Sequence, residues 1–273
     1  MTTFPPQQPQ IMAILNVSPE SFFQGSVART QSELLQAAER ALKSGADWLD
    51  VGAMSTAPYK ETRITEEEEA RRMGIAVTGI VREFPGVRVS ADTSRLLPAR
   101  AALESGATLL NDVHGLHQTP ELGPLAAEFS ASVCLMANES QWDGVAPQGS
   151  EPVEWIVGLL KEAVKRAENA AIPSERLILD PGIGFFRKTP LPWYEVDLAL
   201  IRGLDRVVAL GYPVLVSVSR KSFLGKLLDR EKPEERLAGS LAATLTCLQK
   251  GAAIIRTHDV AETKDVLRWW GLA

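Results

Sequence analysis

The stretch Gly45-Ala46-Asp47-Trp48-Leu49-Asp50-Val51 decides the reading of this chain, because its pattern recurs. A helical periodicity runs up to the glycine, and a short apolar run follows it. Glycine is the expected stop there, since it alone enters the left-handed region cheaply. The same sequence of events occurs at Gly106-Ala107-Thr108 before Leu109-Leu110-Asn111, and at Gly251-Ala252-Ala253 before Ile254-Ile255-Arg256. A variant, Gly211-Tyr212-Pro213, opens Val214-Leu215-Val216. Short runs that do not alternate with polar residues suit strands buried on both faces of a parallel sheet.

Working outward from these repeats, eight strands are predicted at 10–15, 47–53, 87–91, 107–111, 132–136, 176–180, 213–218 and 253–257. Helical patterns fill the intervals at 30–44, 65–83, 95–105, 119–129, 152–171, 193–210, 233–250 and 260–269. Strand–helix alternation repeated eight times predicts an α/β protein, a single (β/α)8 TIM barrel. The 273 residues fit one domain over 1–273, with no linker-like stretch dividing it. The longest loops, 16–29, 53–65, 137–151 and 181–193, all follow strands, and that rim is where a barrel of this class keeps its active site.

Composition excludes other classes. With 45% hydrophobic and 23% charged residues, the chain is neither disordered, collagenous nor a disulfide scaffold. A net charge of −5 argues against a coat for nucleic acid or an anionic membrane surface. The N-terminus shows no secretory signal pattern, and no apolar stretch reaches the ~18 residues that span a bilayer, so a cytoplasmic protein is expected. Cys134 and Cys247 lack metal-type spacing and read as reduced, buried thiols. The run Glu66–Glu69 reads as a solvated helix start, and Trp269 and Trp270 as packing the last helix onto the barrel.

Polar residues stand at the C-terminal ends of the strands: Asn16, Ser55-Thr56, Asp92-Thr93, Asn111-Asp112, Asn138-Glu139, Asp180, Ser219-Arg220-Lys221 and Arg256-Thr257-His258-Asp259. Each has a bland reading as a helix cap, a turn, a surface lysine or a core histidine. A barrel, however, brings all eight ends to one rim. Asp92, Asn111 and Asp180 then offer acceptors and an amide suited to a flat, N–H-rich heterocycle, since buried Asp without a partner is costly. Lys221, Arg256 and His258 read as a cationic group for a phosphate, Arg256 and His258 pointing the same way two residues apart. Asn16 joins them through a bridging metal ion. His114 and His117 read as loop or cap residues.

Seven segments carry a family resemblance: Ile14–Phe22, Asp50–Thr56, Ala91–Thr93, Asn111–Gly115, Asp180–Phe185, Ser219–Gly225 and Arg256–Asp259. In this order, over almost the whole chain, they resemble the dihydropteroate synthases. The resemblance implies a folate-pathway transferase that joins 6-hydroxymethyl-7,8-dihydropterin diphosphate to 4-aminobenzoate, releases pyrophosphate, uses Mg²⁺ and forms a homodimer. It implies Asp92, Asn111, Asp180 and Lys221 as the pterin set, and Asn16, Arg256 and His258 as the diphosphate and Mg²⁺ set. Ser222 is implied at the aminobenzoate carboxylate and Phe185 at the junction of the substrates; Asp92, Lys221, Arg256 and His258 carry the chemistry. A methyltransferase acting on a reduced folate and a non-catalytic pterin binder are the alternatives.

The chain departs from the family pattern in its loops. Ala57 stands where a loop arginine is usual, with Lys60 and Arg63 as two candidates to replace it or as solvated charges. Phe23-Gln24-Gly25-Ser26 lacks the usual loop carboxylate, and Ala137-Asn138 replaces a His-Met pair. At Phe185-Phe186-Arg187-Lys188 the second phenylalanine is expected to crowd the aminobenzoate side, to the disadvantage of sulfonamide analogues, and Lys188 to be a displaced family lysine.

Overall fold

The computed structural model describes residues 8–17, 30–54, 64–142 and 151–272. Eight parallel strands alternate with helices: β1 (Gln10–Asn16), β2 (Trp48–Gly52), β3 (Val89–Asp92), β4 (Leu109–Asp112), β5 (Ser132–Met136), β6 (Leu177–Asp180), β7 (Leu215–Val216) and β8 (Ile254–Thr257). Their order is β6-β5-β4-β3-β2-β1-β8-β7, and a parallel bridge between Leu179 and Val214 joins the two ends. The Leu179 N–H donates to the Pro213 carbonyl at 2.9 Å across that seam. The predicted (β/α)8 barrel is therefore the observed fold.

Two apolar clusters follow from the two-residue period of the strands. Met12, Trp48, Leu109, Cys134, Ile178, Leu215 and Ile254 form one cluster, which fills the lower barrel interior. The strand residues of opposite parity, such as Ile11, Leu49, Val51, Val89, Leu110, Leu135, Leu179 and Ile255, join the larger cluster with the surrounding helices. Two residues above five members of the interior cluster the sequence turns polar, Asp50 after Trp48, Asn111 after Leu109, Asp180 after Ile178, Ser217 after Leu215 and Arg256 after Ile254, while Ile14 after Met12 and Met136 after Cys134 stay apolar. The barrel thus has an apolar floor and a polar mouth.

The helices are α1 (Gln31–Lys43), α2 (Glu66–Glu83), α3 (Leu96–Glu104), α4 (Leu122–Glu128), α5 (Pro152–Asn169), α6 (Trp193–Arg202), α7 (Leu204–Val208), α8 (Ser222–Leu228), α9 (Leu237–Gln249) and α10 (Val260–Trp270). Thr30 and Thr65 cap α1 and α2 by accepting from the Glu33 and Glu68 amides, contacts that each contribute about 1 kcal/mol.

The predicted helix over 193–210 breaks at Gly203 into α6 and α7. A Cβ there would lie 3.0 Å from Val153 on α5, so the break permits close packing. The chain over 233–250 starts as a 3-10 turn, Pro233–Arg236, before α9. The short helix α8 lies in a stretch where none was predicted, and only two residues of predicted strand 213–218 pair as β7.

Two surface readings are corrected. Glu69 is buried, accepts from the Thr93 hydroxyl at 2.7 Å and pairs with Arg95 at 3.1 Å, so the acidic run is solvated only in part. Trp269 is 63% exposed; Trp270, half-buried, is the one that packs against the core. Cys134 and Cys247 are free and buried, as expected, and burial pushes both thiols up, Cys247 to about 12.

Candidate active site

The strand ends bring the expected polar residues to one mouth. Asp92, Asn111 and Asp180 are all buried. At their centre lies a pair of carboxylates sharing one guanidinium: Arg256 Nε donates to Asp50 Oδ2 at 2.6 Å, and Arg256 Nη2 to Asp92 Oδ2 at 2.7 Å. Asn111 Nδ2 donates to Asp50 Oδ2 at 3.3 Å. Asp50 stands one inward step above Trp48, inside a strand whose residues are all buried. Its position in an apolar run hid it; the two-residue period from Trp48 was the signal that would have found it.

Burial pushes the Asp92 carboxyl up to about 7, with Arg256 pulling it back and Asp50 and Glu69 adding to the rise. For Arg256 burial works the other way, but Asp50 and Asp92 more than offset it, and the guanidinium is held firmly protonated. Asp92 Oδ1 and Asp50 Oδ1 are buried without a hydrogen-bond partner. Orphaned carboxylate oxygens are costly, and a donor-rich ligand would satisfy them. Asp180 Oδ1 accepts from the Gly182 amide at 2.8 Å, and burial raises this carboxyl too.

Lys221 is delivered by a strained corner. Arg220 adopts φ 56°, a left-handed conformation that costs a non-glycine residue on the order of 1 kcal/mol. Asp259 grips the Arg220 guanidinium at 2.7 and 3.0 Å, and the Ser240 hydroxyl accepts from the Arg220 amide at 2.8 Å. Lys221 Nζ donates to the Ile183 carbonyl at 2.5 Å and sits 4.5 Å from the centre of the Phe185 ring. Burial lowers this ammonium to about 8, against the pull of Asp180 and Asp197.

The expected cationic trio is revised. The Arg256 charge is matched by two carboxylates, and burial holds His258 down at about 3, helped by Arg256, Arg220 and Lys221, so its ring is neutral. His258 Nδ1 lies 3.0 Å from the Ser219 hydroxyl. Residues two apart do point to the same mouth, but they do not bring two charges there. His114 is a loop residue as expected, its backbone amide held by Asp112 and its Nδ1 3.2 Å from the Ser140 hydroxyl.

The loop after β6 corrects two further readings. Phe186 is fully buried and packs on Trp142 at 5.2 Å, away from the mouth, so it does not crowd a substrate. Lys188 is exposed, whereas Arg187 Nη2 donates to the Ser222 hydroxyl at 2.8 Å and its guanidinium lies 4.0 Å from the Trp193 ring centre. Arg187, not Lys188, is therefore the cation beside Ser222. Ser55-Thr56, Ala57, Lys60, Arg63 and the loop around Phe22–Ser26 lie outside the described residues. A cavity of about 460 Å³ opens beside the mouth, lined in part by Met54, Thr93, Val113, Asn138 and Phe185.

Asn16 ends β1, and a Cβ at Gly52 would lie 3.3 Å from Asn16 Oδ1 and 3.6 Å from Asp92 Oδ2. The missing side chain leaves a cradle beside a neutral oxygen of the hard type that Mg²⁺ takes. Among the described residues no three His, Cys, Asp or Glu side chains gather into a metal cluster. An amide oxygen at this place is a hard donor that fits a Mg²⁺ ion bound largely through substrate phosphates.

A barrel whose mouth holds buried, partly unsatisfied carboxylates beside a lysine defines an enzyme for a small, donor-rich ligand. The chain belongs to the pterin binding enzyme family, whose model matches residues 12–258, and within it to the dihydropteroate synthases. The Bacillus subtilis dihydropteroate synthase is 36% identical over 254 residues, 92% of this chain and 84% of the relative. The Xanthomonas albilineans dihydropteroate synthase with 4-aminobenzoic acid superposes with a TM-score of 0.86 at 37% identity, covering 97% of this chain and 93% of that one. The Coxiella burnetii synthase in complex with pteroic acid gives 0.87 at 32% identity, covering 99% and 94%.

Proposed function

We propose that this transferase condenses 6-hydroxymethyl-7,8-dihydropterin diphosphate with 4-aminobenzoate, giving 7,8-dihydropteroate and pyrophosphate. The observation that carries the assignment of roles is the orphaned Asp92 Oδ1, buried beside Asn111, Asp180 and Lys221. Asp92 and Asp180 accept from the pterin N–H groups, Asn111 supplies an amide, and Lys221 donates to a ring acceptor. Phe185 lies at the junction, and Ser222 with its neighbour Arg187 faces the aminobenzoate carboxylate.

Asn16 would hold a Mg²⁺ ion together with the diphosphate, and the ion would supply Lewis-acid neutralisation of the leaving group. As the C–O bond to the diphosphate breaks, positive charge spreads from the exocyclic carbon into the reduced pterin. The Asp92 carboxylate, fixed by Arg256, stabilises that charge from a desolvated position. The aminobenzoate nitrogen attacks as a neutral amine, and the new C–N bond is completed by loss of one N–H proton to solvent or to the departing pyrophosphate, so orientation supplies much of the rate. Arg256 and His258 act at the diphosphate end as preorganised donors, the first with its charge already balanced by carboxylates.

A cytoplasmic homodimer belongs to the same reading. The two reduced thiols suit that compartment, and exposed Trp269 beside Leu241, Leu245 and Val266 provides an apolar face on α9 and α10. No helix among the described residues is long and apolar enough to cross a membrane. Mixing the protein with dihydropterin diphosphate, 4-aminobenzoate and Mg²⁺ tests the reaction: pyrophosphate and dihydropteroate form in equal amounts. Tight pterin binding with no pyrophosphate release would overturn it, and sedimentation analysis tests the dimer.

A further inference from the structure

Asp197 lies on α6, behind the ring of strand-end side chains, and is completely buried. Its Oδ1 accepts from the Gly184 amide at 2.6 Å, while Oδ2 is buried with no hydrogen-bond partner. An aliphatic side chain would fill such a place at lower cost, so the carboxylate calls for a reason beyond packing. The reason lies in what Gly184 touches.

Gly184 has φ +90°, and a Cβ there would lie 2.8 Å from Lys221 Cδ and 3.2 Å from Lys221 Nζ. The loop backbone and the lysine stem are therefore in direct contact. The residue before Gly184 supplies the carbonyl that accepts from Lys221 Nζ, and the residue after it supplies the ring beneath that ammonium. The segment from Gly182 to Phe185 is pinned at Gly182 by Asp180 and at Gly184 by Asp197. One carboxylate belongs to the substrate ring; the other stands behind the loop.

We propose that Asp197 is a positioning residue, whose carboxylate holds the loop from Gly182 to Phe185 so that Lys221 and Phe185 meet at the junction of the two substrates. The kinetic consequence rests on the synthase reading; the structural one does not. Lys221 and Arg187 both lie near enough for their charges to stabilise this carboxylate, so one buried group also draws together the cations of the pterin and aminobenzoate ends.

The test compares Asp197→Ala and Asp197→Asn in the full chain. Asparagine keeps an acceptor for the Gly184 amide; alanine does not. Hydrogen exchange at the Gly184 amide, followed by NMR, is expected to accelerate about a hundredfold in D197A and to stay near the wild-type rate in D197N. The kcat/KM for pyrophosphate release falls about a hundredfold in D197A, as misplacement of the reacting groups predicts, and recovers to within about tenfold in D197N. Unchanged Gly184 exchange in D197A, or equal impairment of both variants, overturns the proposal. Should D197A fail to fold, Asp197→Glu takes its place, and wild-type exchange and kinetics in that variant are equally fatal. If the wild type releases no pyrophosphate, the synthase reading fails, while the exchange measurement still decides the role of Asp197.

Discussion

Arg256 Nε and Asp50 Oδ2 meet at 2.6 Å across the barrel mouth, joining the last strand to the second over 206 residues of sequence. The contact is buried on the Asp50 side, with Arg256 16% exposed. Its role is to let two carboxylates coexist in a desolvated ring. Asp50→Ala removes one of them and leaves the shared guanidinium short of a partner. Asp92 still pairs with that guanidinium, so the expected loss is that of one charge-assisted hydrogen bond, about 1–3 kcal/mol of unfolding free energy, measured by urea denaturation.

The pH profile of kcat/KM follows from two displaced groups. Burial holds Asp92 up at about 7, and it carries the negative charge that stabilises the cationic pterin only when ionised, so activity falls as pH drops through that value. Burial brings Lys221 down to about 8, and it offers charge-assisted hydrogen bonds only when protonated, so activity falls again above it. A narrow bell results, with its maximum between these limits. Pyrophosphate release measured across buffers tests it; a flat profile from pH 6 to 9, roughly the span of both limbs, would remove both assignments.

Phe186 was expected to shape the aminobenzoate site and instead fills the core against Trp142. Phe186→Leu is expected to lower stability by about 1–3 kcal/mol through imperfect filling of the space. Its KM for 4-aminobenzoate and its sulfonamide inhibition stay within about twofold of wild type, since a pocket contact worth less than 0.4 kcal/mol changes binding by no more than that. Thermal unfolding beside inhibition curves separates the two effects.

Gly52 leaves open the space beside Asn16 Oδ1. Gly52→Ala puts a methyl 3.3 Å from that oxygen, close enough to force a small shift. The Mg²⁺ concentration for half-maximal activity is expected to rise about three- to tenfold, corresponding to about 1 kcal/mol of weakened coordination. A Mg²⁺ titration at saturating substrates checks it, and an unchanged midpoint would take Asn16 out of the metal site.

Asp197 also gives stability a pH dependence of known sign. Burial raises its folded pKa to about 6 from an ordinary 3.8, so the native state retains a proton that the unfolded chain has lost. Its contribution is favourable at low pH and is lost as pH rises through about 6. Asparagine there does not titrate. The stability of D197N relative to wild type is therefore expected to increase between pH 4 and 7 by about 2 kcal/mol, from the size of the shift.

The barrel was legible because glycine stops and short apolar runs are local signals. The site was legible as far as strand ends advertise it: Asp92, Asn111, Asp180 and Lys221 are polar residues interrupting apolar strands at the rim. Asp50 was hidden because it sits within a strand, where the eye follows hydrophobicity rather than parity. Arg187 and Asp197 were hidden for another reason. Their partners, Ser222 and Gly184, lie 35 and 13 residues away, and only the folded loop after β6 brings them together. Charge state was the least legible of all, since the neutrality of His258 depends on burial and on three neighbouring cations.

The apolar floor formed by Met12, Trp48, Leu109, Cys134, Ile178, Leu215 and Ile254 has a final consequence. It acts as a depth stop. A planar ring entering the barrel would be stopped near the level of Asp50, Asn111 and Asp180, because below it the inward side chains are mostly apolar and close the bore, the buried Ser90 hydroxyl being an exception. On the proposed reading, strand register would set the ring's elevation.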